Sequence, residues 1–312
     1  MEEKFEIMNL LQNKQILENE LKSLAYGAVE IRENNANKYI YVHYREDGIA
    51  LTKYVGEYSD ELYNLVLNNS IKAKQIKKQI REITKKLKQF NYIEEELSEI
   101  VKQNIDFAKR HLVDTIYKQA ILEGVATTFA DTESIIEGGK VNNMTSEDIL
   151  KILNLKHAWE FILNKNVILS DTNFALLCEI NKLVEEGFYY TAGKVRNVPV
   201  TIGGTSWKPD LPIESVIKEE LEEIFNKEMN DVERAIELLL YTMKKQVFID
   251  GNKRTSVIYS NHYLISKGKG IIAIPAELTQ EFKDLLIPYY EGKDENKIKK
   301  FIKEKCYISI EQ

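Results

Sequence analysis

Helix breakers are so sparse in this chain that its fold must use long elements with short connections: 5 prolines and 14 glycines stand among 312 residues. Such spacing favours helix. Apolar periodicity predicts helices over 1–25, over most of 60–128, and over 132–139, 146–164, 170–186, 213–227, 230–244, 253–267 and 278–303. Two stretches break the pattern. In "AVEIRE", "KYIYVHYRED" and "IALTKYVG", β-branched and aromatic residues alternate between turn signals at 34–37 and 47–48, which predicts a small β-meander. "YYTAGKVRNVPVTIGGTSWKPDLP", 189–212, alternates Val198, Val200 and Ile202 before Gly203 and Gly204. It reads as a β-hairpin or flap inserted among helices. The fold class is therefore mostly α, with a small β-meander and a hairpin flap. The length allows two or three domains, and the texture places a boundary at 128/129.

Residues 71–89 carry Lys72, Lys74, Lys77, Lys78, Arg81, Lys85, Lys86 and Lys88 around an apolar stripe of Ile71, Ile76, Ile80, Ile83 and Leu87. This predicts a solvated helix, one half of a helical hairpin with 92–112. Exposed aromatics do not interleave the cations, and acidic residues follow at Glu94, Glu95, Glu96 and Glu99. With a net charge of −6, that argues against a nucleic-acid partner. No apolar run approaches the ~20 residues of a membrane span, and the acidic start carries no apolar signal core. Cys178 and Cys306 lie far apart in helical contexts, so both read as buried thiols of a reducing compartment. A cytoplasmic protein is expected.

The densest chemistry lies in "KKQVFIDGNKRTS", 244–256. Gly251 permits backbone barred to other residues, and Asn252 suits a tight turn, so successive N–H groups can face one anion. The helix that follows brings its positive end to the same place. Lys253 and Arg254 add charge, and Asp250 offers a hard oxygen ligand for Mg²⁺. A polar helix-capping turn is the plain alternative; two adjacent cations favour phosphate.

"VFIDGNKRT" resembles the signature loop of the Fic/Doc family, approximately His-x-Phe-x-Asp/Glu-Gly-Asn-x-Arg, at Phe248, Asp250, Gly251, Asn252 and Arg254. "AGKVRNVPVTIGGTSWKPDLP" is similar to the family's flap. "ESIIEGGK", 133–140, is similar to its inhibitory-helix motif, and "SNHYLISKGKG" and "YYEGKDENKIKKFI" to its closing helices. The likeness covers about 130–305. It implies a Fic-type helical bundle over 129–312; the N-terminal unit, 1–128, lies outside the likeness and is read as a partner-binding or oligomerisation unit. The likeness also implies transfer of AMP from ATP to a Ser, Thr or Tyr hydroxyl of a protein. Asp250 would hold Mg²⁺, and Gly251, Asn252, Lys253 and Arg254 would hold the ATP phosphates. Glu137 and Ser134 would supply inhibition. A target protein would dock along 196–207, at Val198, Val200, Ile202, Gly203 and Trp207. Self-association stays open.

Two positions depart from that pattern. Gln246 stands where the family has its general-base His, and a carboxamide cannot take a proton near neutral pH. None of His43, His111, His157 and His262 lies at the motif. The chain is then an inactive variant, a pseudoenzyme, or an enzyme with another base. Val257 stands where many AMP-transferring members carry a second Arg, and Lys253 where they often have Gly. "NKRT" is closer to the Doc-like version. A Doc-like kinase and a non-enzymatic nucleotide-sensing scaffold are therefore the alternatives.

Overall fold

The computed structural model describes residues 2–34, 37–46, 49–90, 97–142 and 144–310. The turn residues 35–36 and 47–48 and the acidic run 94–96 lie outside them.

The chain forms two compact units, 1–95 and 96–312. In the first, helix α1 (Glu2–Ser23) leads into strands β1 (Ala28–Asn34), β2 (Asn37–Glu46) and β3 (Ile49–Glu57), then into α2 (Asp60–Gln89). The strands pair antiparallel in the order β1-β2-β3, as alternation predicts. Ile40 and Val42 turn to one face and are buried with Val66 of α2. Ser59 caps α2 by accepting the Leu62 N–H at 3.1 Å. Ala73, Ile76 and Leu87 form the buried stripe, while Ile71 is exposed. Ile71 and Ile76 are five positions apart, a spacing that places them on different faces of a helix.

Residues 91–96 lie outside the described ones. α2 packs against α1, while α3 (Glu99–Arg110) and α4 (Leu112–Leu122), which cover most of the stretch predicted as its hairpin partner, belong to the second unit. Their Ile105, Phe107, Ala108, Ile116, Ala120 and Leu122 enter its core, which moves the boundary from 128/129 to 95/96. A periodicity argument finds the apolar face of a helix but not the surface that covers it.

The second unit continues through α5 (Phe129–Ile136), α6 (Ser146–Ile162), α7 (Lys165–Ile168), α8 (Phe174–Val184), α9 (Glu214–Asn226), α10 (Asp231–Lys245) and α11 (Asn252–Ser266). It closes with β4 (Ile271–Ile272), α12 (Thr279–Tyr290), α13 (Glu295–Phe301) and β5 (Tyr307–Ile308), the two short strands pairing antiparallel. α11 is the axis. Arg254 to Ile265 are all buried, because α10, α8, α6 and α3 pack around it. A helix enclosed on every side must satisfy its polar groups internally. Asn261 does so by bonding the N–H and the carbonyl of Ile272, each at 2.8 Å.

His262 is a further case. Its Nδ1 meets the Thr172 hydroxyl at 2.8 Å and its Nε2 the Val167 carbonyl at 2.9 Å. Burial lowers its pKa to about 4, so it is a neutral core residue. Both cysteines are free, and burial pushes each thiol up to about 12. Among the described residues no helix is long and apolar enough to cross a membrane.

The segment 189–212 lies between α8 and α9 without strand pairing, so the predicted hairpin is corrected to an irregular strap. Pro199 and Pro209 lack the N–H that a ladder needs. The Arg196 guanidinium, not a ladder, joins the two arms: it donates to the carbonyls of Val198 at 2.8 Å and Asp210 at 2.6 Å.

Candidate active site

The loop 246–251 connects two helices by using two left-handed residues. Gln246 ends α10 at φ 47°, ψ 57°, and Gly251 precedes α11 at φ 72°. Left-handed backbone is the usual way to end a helix, though glycine is the usual occupant. Lys244 and Lys245 in the last turn of α10 suit its negative end. Between the two turns Val247 and Phe248 are buried and fasten the loop to the core.

Asn252 closes the loop from within. Its side chain accepts the Phe248 N–H at 2.9 Å and donates to the Phe248 carbonyl at 2.8 Å. Its side chain is therefore a brace for the loop backbone, whose N–H groups at Gly251 and Asn252 are the ones expected to face an anion. Asn181 of α8 is a second brace, buried among the apolar residues of that helix. It donates to the Asp250 carbonyl at 3.0 Å and to the Thr255 hydroxyl at 3.1 Å, and accepts the Gly193 N–H at 2.9 Å. Gln119 of α4 donates to the Arg254 carbonyl at 2.7 Å and accepts from the Trp159 indole at 3.0 Å.

Gly251 is required twice over. A Cβ there would stand 2.3 Å from Glu185 Oε1 and 3.1 Å from Asn181 Nδ2, and the backbone is left-handed. Gly251→Ala is expected to cost about 2 kcal/mol, read as a lowered urea midpoint. An unchanged midpoint would show that the loop adapts to the methyl.

Arg254 is 2% exposed and is the electrostatic centre. Its Nη2 lies 2.8 Å from Glu185 Oε1 and 3.7 Å from Asp250 Oδ1, and its Nε 3.6 Å from Glu123 Oε2. The N–H directions nonetheless miss these oxygens: Nε and Nη1 are buried with no hydrogen-bond partner, as is Glu185 Oε1. Burial pushes the Glu185 carboxyl up to about 7, Asp250 and Glu123 push it the same way, and Arg254 opposes them. Lys253 pairs with Glu123 at 3.3 Å. The Asp250 side chain is 51% exposed.

Glu123, Gln246, Asp250, Asn252 and Lys253 line a cavity of about 470 Å³ together with Val200, Ile202, Gly203 and α12. That size suits a small-molecule ligand. The structure thus brings together Gln246, the loop and part of the strap. Other predicted residues lie elsewhere. Glu137 is the exposed C-cap of α5, and Ser134, in the same helix, receives the Gly139 N–H on its carbonyl. The carboxylates at Arg254 are Glu123, Glu185 and Asp250. Glu123 and Glu185 were not singled out in the sequence, since one ends a helix 131 residues before the arginine and the other 69 before it. Val257 is buried against the core. Trp207 stacks on Tyr290, ring centroids 5.5 Å apart, which pins the strap to α12. Val198 is exposed.

Residues 171–264 match the sequence model of the Fic/DOC family. A search of curated protein sequences gives no match. Among solved structures, Fic-1 from C. elegans aligns with a TM-score of 0.52 at 16% identity, covering 78% of this chain and 77% of that one. A Fic domain-containing signaling protein from Bacteroides thetaiotaomicron aligns at 0.52 and 18% identity, covering 59% and 74%. A Fic family protein from Desulfovibrio desulfuricans aligns at 0.51 and 11% identity, covering 67% and 72%.

Proposed function

For a chain that carries a Fic/DOC-family domain over 171–264, we propose ATP binding at the N-terminus of α11 and membership of the protein adenylyltransferase class, with AMP transfer impaired at Gln246. One observation carries the reading. The buried Arg254 guanidinium keeps two N–H donors without acceptors, and a buried unsatisfied donor costs about 1–3 kcal/mol. An anion that reaches them removes that cost, and a polyphosphate suits both the forked donors and the positive helix end.

The residues fit Mg²⁺ as well. Asp250 is a half-exposed carboxylate on the cavity, while no group of three or more His, Cys, Asp or Glu side chains able to hold a metal occurs among the described residues. A single carboxylate with phosphate and water completing the shell is how Mg²⁺ is commonly held. When bound, the ion supplies charge neutralisation across the phosphates. Lys253, beside Asp250, adds a cation that the buried Val257 does not.

Transfer to a hydroxyl also needs a proton acceptor. The Gln246 amide cannot serve, and its Nε2 is bound to the Met243 carbonyl at 2.6 Å. Binding therefore outlasts catalysis in this chain. A target segment would pair with the unladdered backbone of the strap near Val198–Ile202, a mode that needs no side-chain code.

Titration of the chain with Mg²⁺-ATP by calorimetry, followed by incubation with α- and γ-labelled ATP, tests the reading. Binding with little label on protein is expected. Strong label from γ would instead identify a Doc-like kinase, and absence of binding would remove the nucleotide reading. A pH series adds a second check. Phosphate charge beside Glu185 raises its carboxyl further, so binding takes up a proton above about pH 7. Affinity should fall as pH rises from 7 to 9, by at most about tenfold per unit. Glu185→Gln should flatten the profile; an equally steep one there would assign the dependence to ATP alone.

A further inference from the structure

Arg196 is the second buried arginine of this unit, 2% exposed, and among the described residues it has no ion pair. Burial lowers its pKa. An uncompensated buried cation is costly, so its surroundings need an explanation. Each of its bonds goes to a main-chain carbonyl: Nε to Gln246 at 2.6 Å, Nη1 to Val198 at 2.8 Å and Nη2 to Asp210 at 2.6 Å. Its own N–H donates to the Val247 carbonyl at 3.0 Å. Val198 and Asp210 bracket the strap; Gln246 is the residue at the catalytic position. One planar fork thus joins both arms of the strap to the backbone of the left-handed turn.

We propose that Arg196 is a positioning residue that registers the strap against residue 246, and so sets how a target segment meets the phosphate loop. The target clause rests on the adenylyltransferase reading; the tether itself rests on geometry alone. The far end of the strap has separate fastenings, Trp207 on Tyr290 and the Thr205 hydroxyl donating to Glu291 at 2.8 Å. With Arg196 intact the strap is held at both ends. Without the guanidinium, the Trp207 stack, the Thr205 bond and the main-chain bond to Val247 must carry the strap alone, so the stack loosens and the strap backbone at Val200–Gly203 loses its register. Lysine is no substitute, because a single ammonium cannot span three carbonyls set in a fork.

The two tryptophans, Trp159 in the core and Trp207 in the strap, provide the measurement. After labelling with 5-fluorotryptophan, fluorine NMR should show two resonances. In Arg196→Lys the Trp207 resonance is expected to move toward free indole and sharpen while Trp159 stays. Mg²⁺-ATP affinity should remain within about threefold of the parent. In Arg196→Ala, millimolar methylguanidinium should return Trp207 toward its original position, which a general loss of packing would not allow. Should Arg196→Ala fail to fold, the Arg196→Lys spectrum alone decides. An unmoved Trp207 in Arg196→Lys, or both resonances moving together, overturns the tether. A tenfold or greater loss of ATP affinity assigns Arg196 to the phosphate loop and also overturns it. If the parent itself binds no ATP, the nucleotide reading fails, while the Trp207 result still decides the tether.

Discussion

Gln246→His is expected to raise transfer of label from α-labelled ATP to protein by about 10²–10⁴-fold, the usual worth of a positioned general base. The substitution suits the site. Residue 246 is left-handed at φ 47°, and histidine is among the few side chains enriched there. Its carbonyl, which accepts from Arg196 Nε at 2.6 Å, is main-chain and survives the change. What is lost is the amide bond to Met243, a helix-capping contact worth about 1 kcal/mol. The loop 246–251, braced by Asn252, Asn181 and Gln119, is otherwise untouched. The measurement is single-turnover labelling with α- and γ-labelled ATP side by side. Gain from α alone supports AMP transfer interrupted at one residue. No gain, with ATP binding intact, would show that this domain binds nucleotide without being a transferase.

Residue 246 could be singled out in the chain, because the His position of the Fic/Doc pattern can be counted from Phe248. Its conformation was not, since a glutamine gives no sign that it will end a helix in left-handed backbone. Most helices were legible with boundaries displaced by a few residues, because scarce glycine and proline leave few places to stop; the stretch 278–303, predicted as one helix, breaks into α12 and α13 around Gly292, and the short α7 was not predicted. α11 is the instructive case: its enclosure follows from buried polar residues, such as Asn261 and His262, that sequence reads only as interruptions. The strap was misread as a hairpin for a related reason. Val198, Val200 and Ile202 alternate as a strand does, but whether strands pair depends on donors that Pro199 and Pro209 lack and on a competing side chain, Arg196. Glu123 and Glu185 were missed because a charge cluster assembled from three distant segments leaves no spacing to find.

The Arg254 cluster carries the largest expected loss. Arg254→Met removes the cation that faces Glu185, Glu123 and Asp250, and breaking a buried charge network from one side costs about 3–5 kcal/mol. Proton uptake by Glu185, already raised to about 7, limits the loss at neutral pH and enlarges it above pH 8. Under the proposed nucleotide reading, two charge-assisted donor nitrogens to phosphate go as well, each worth about 1.5–3 kcal/mol, so Mg²⁺-ATP affinity should drop by at least about 100-fold. The two effects separate in a second variant. Arg254→Met with Glu185→Gln removes the stranded carboxylate, so much of the stability should return; the donors do not, so the affinity should not. Urea unfolding and calorimetry on the two single variants and the double form a cycle that isolates the pair. If the double variant recovered affinity along with stability, Arg254 would be a structural counter-ion to Glu185, and the anion that its unpaired donors call for would have to bind elsewhere.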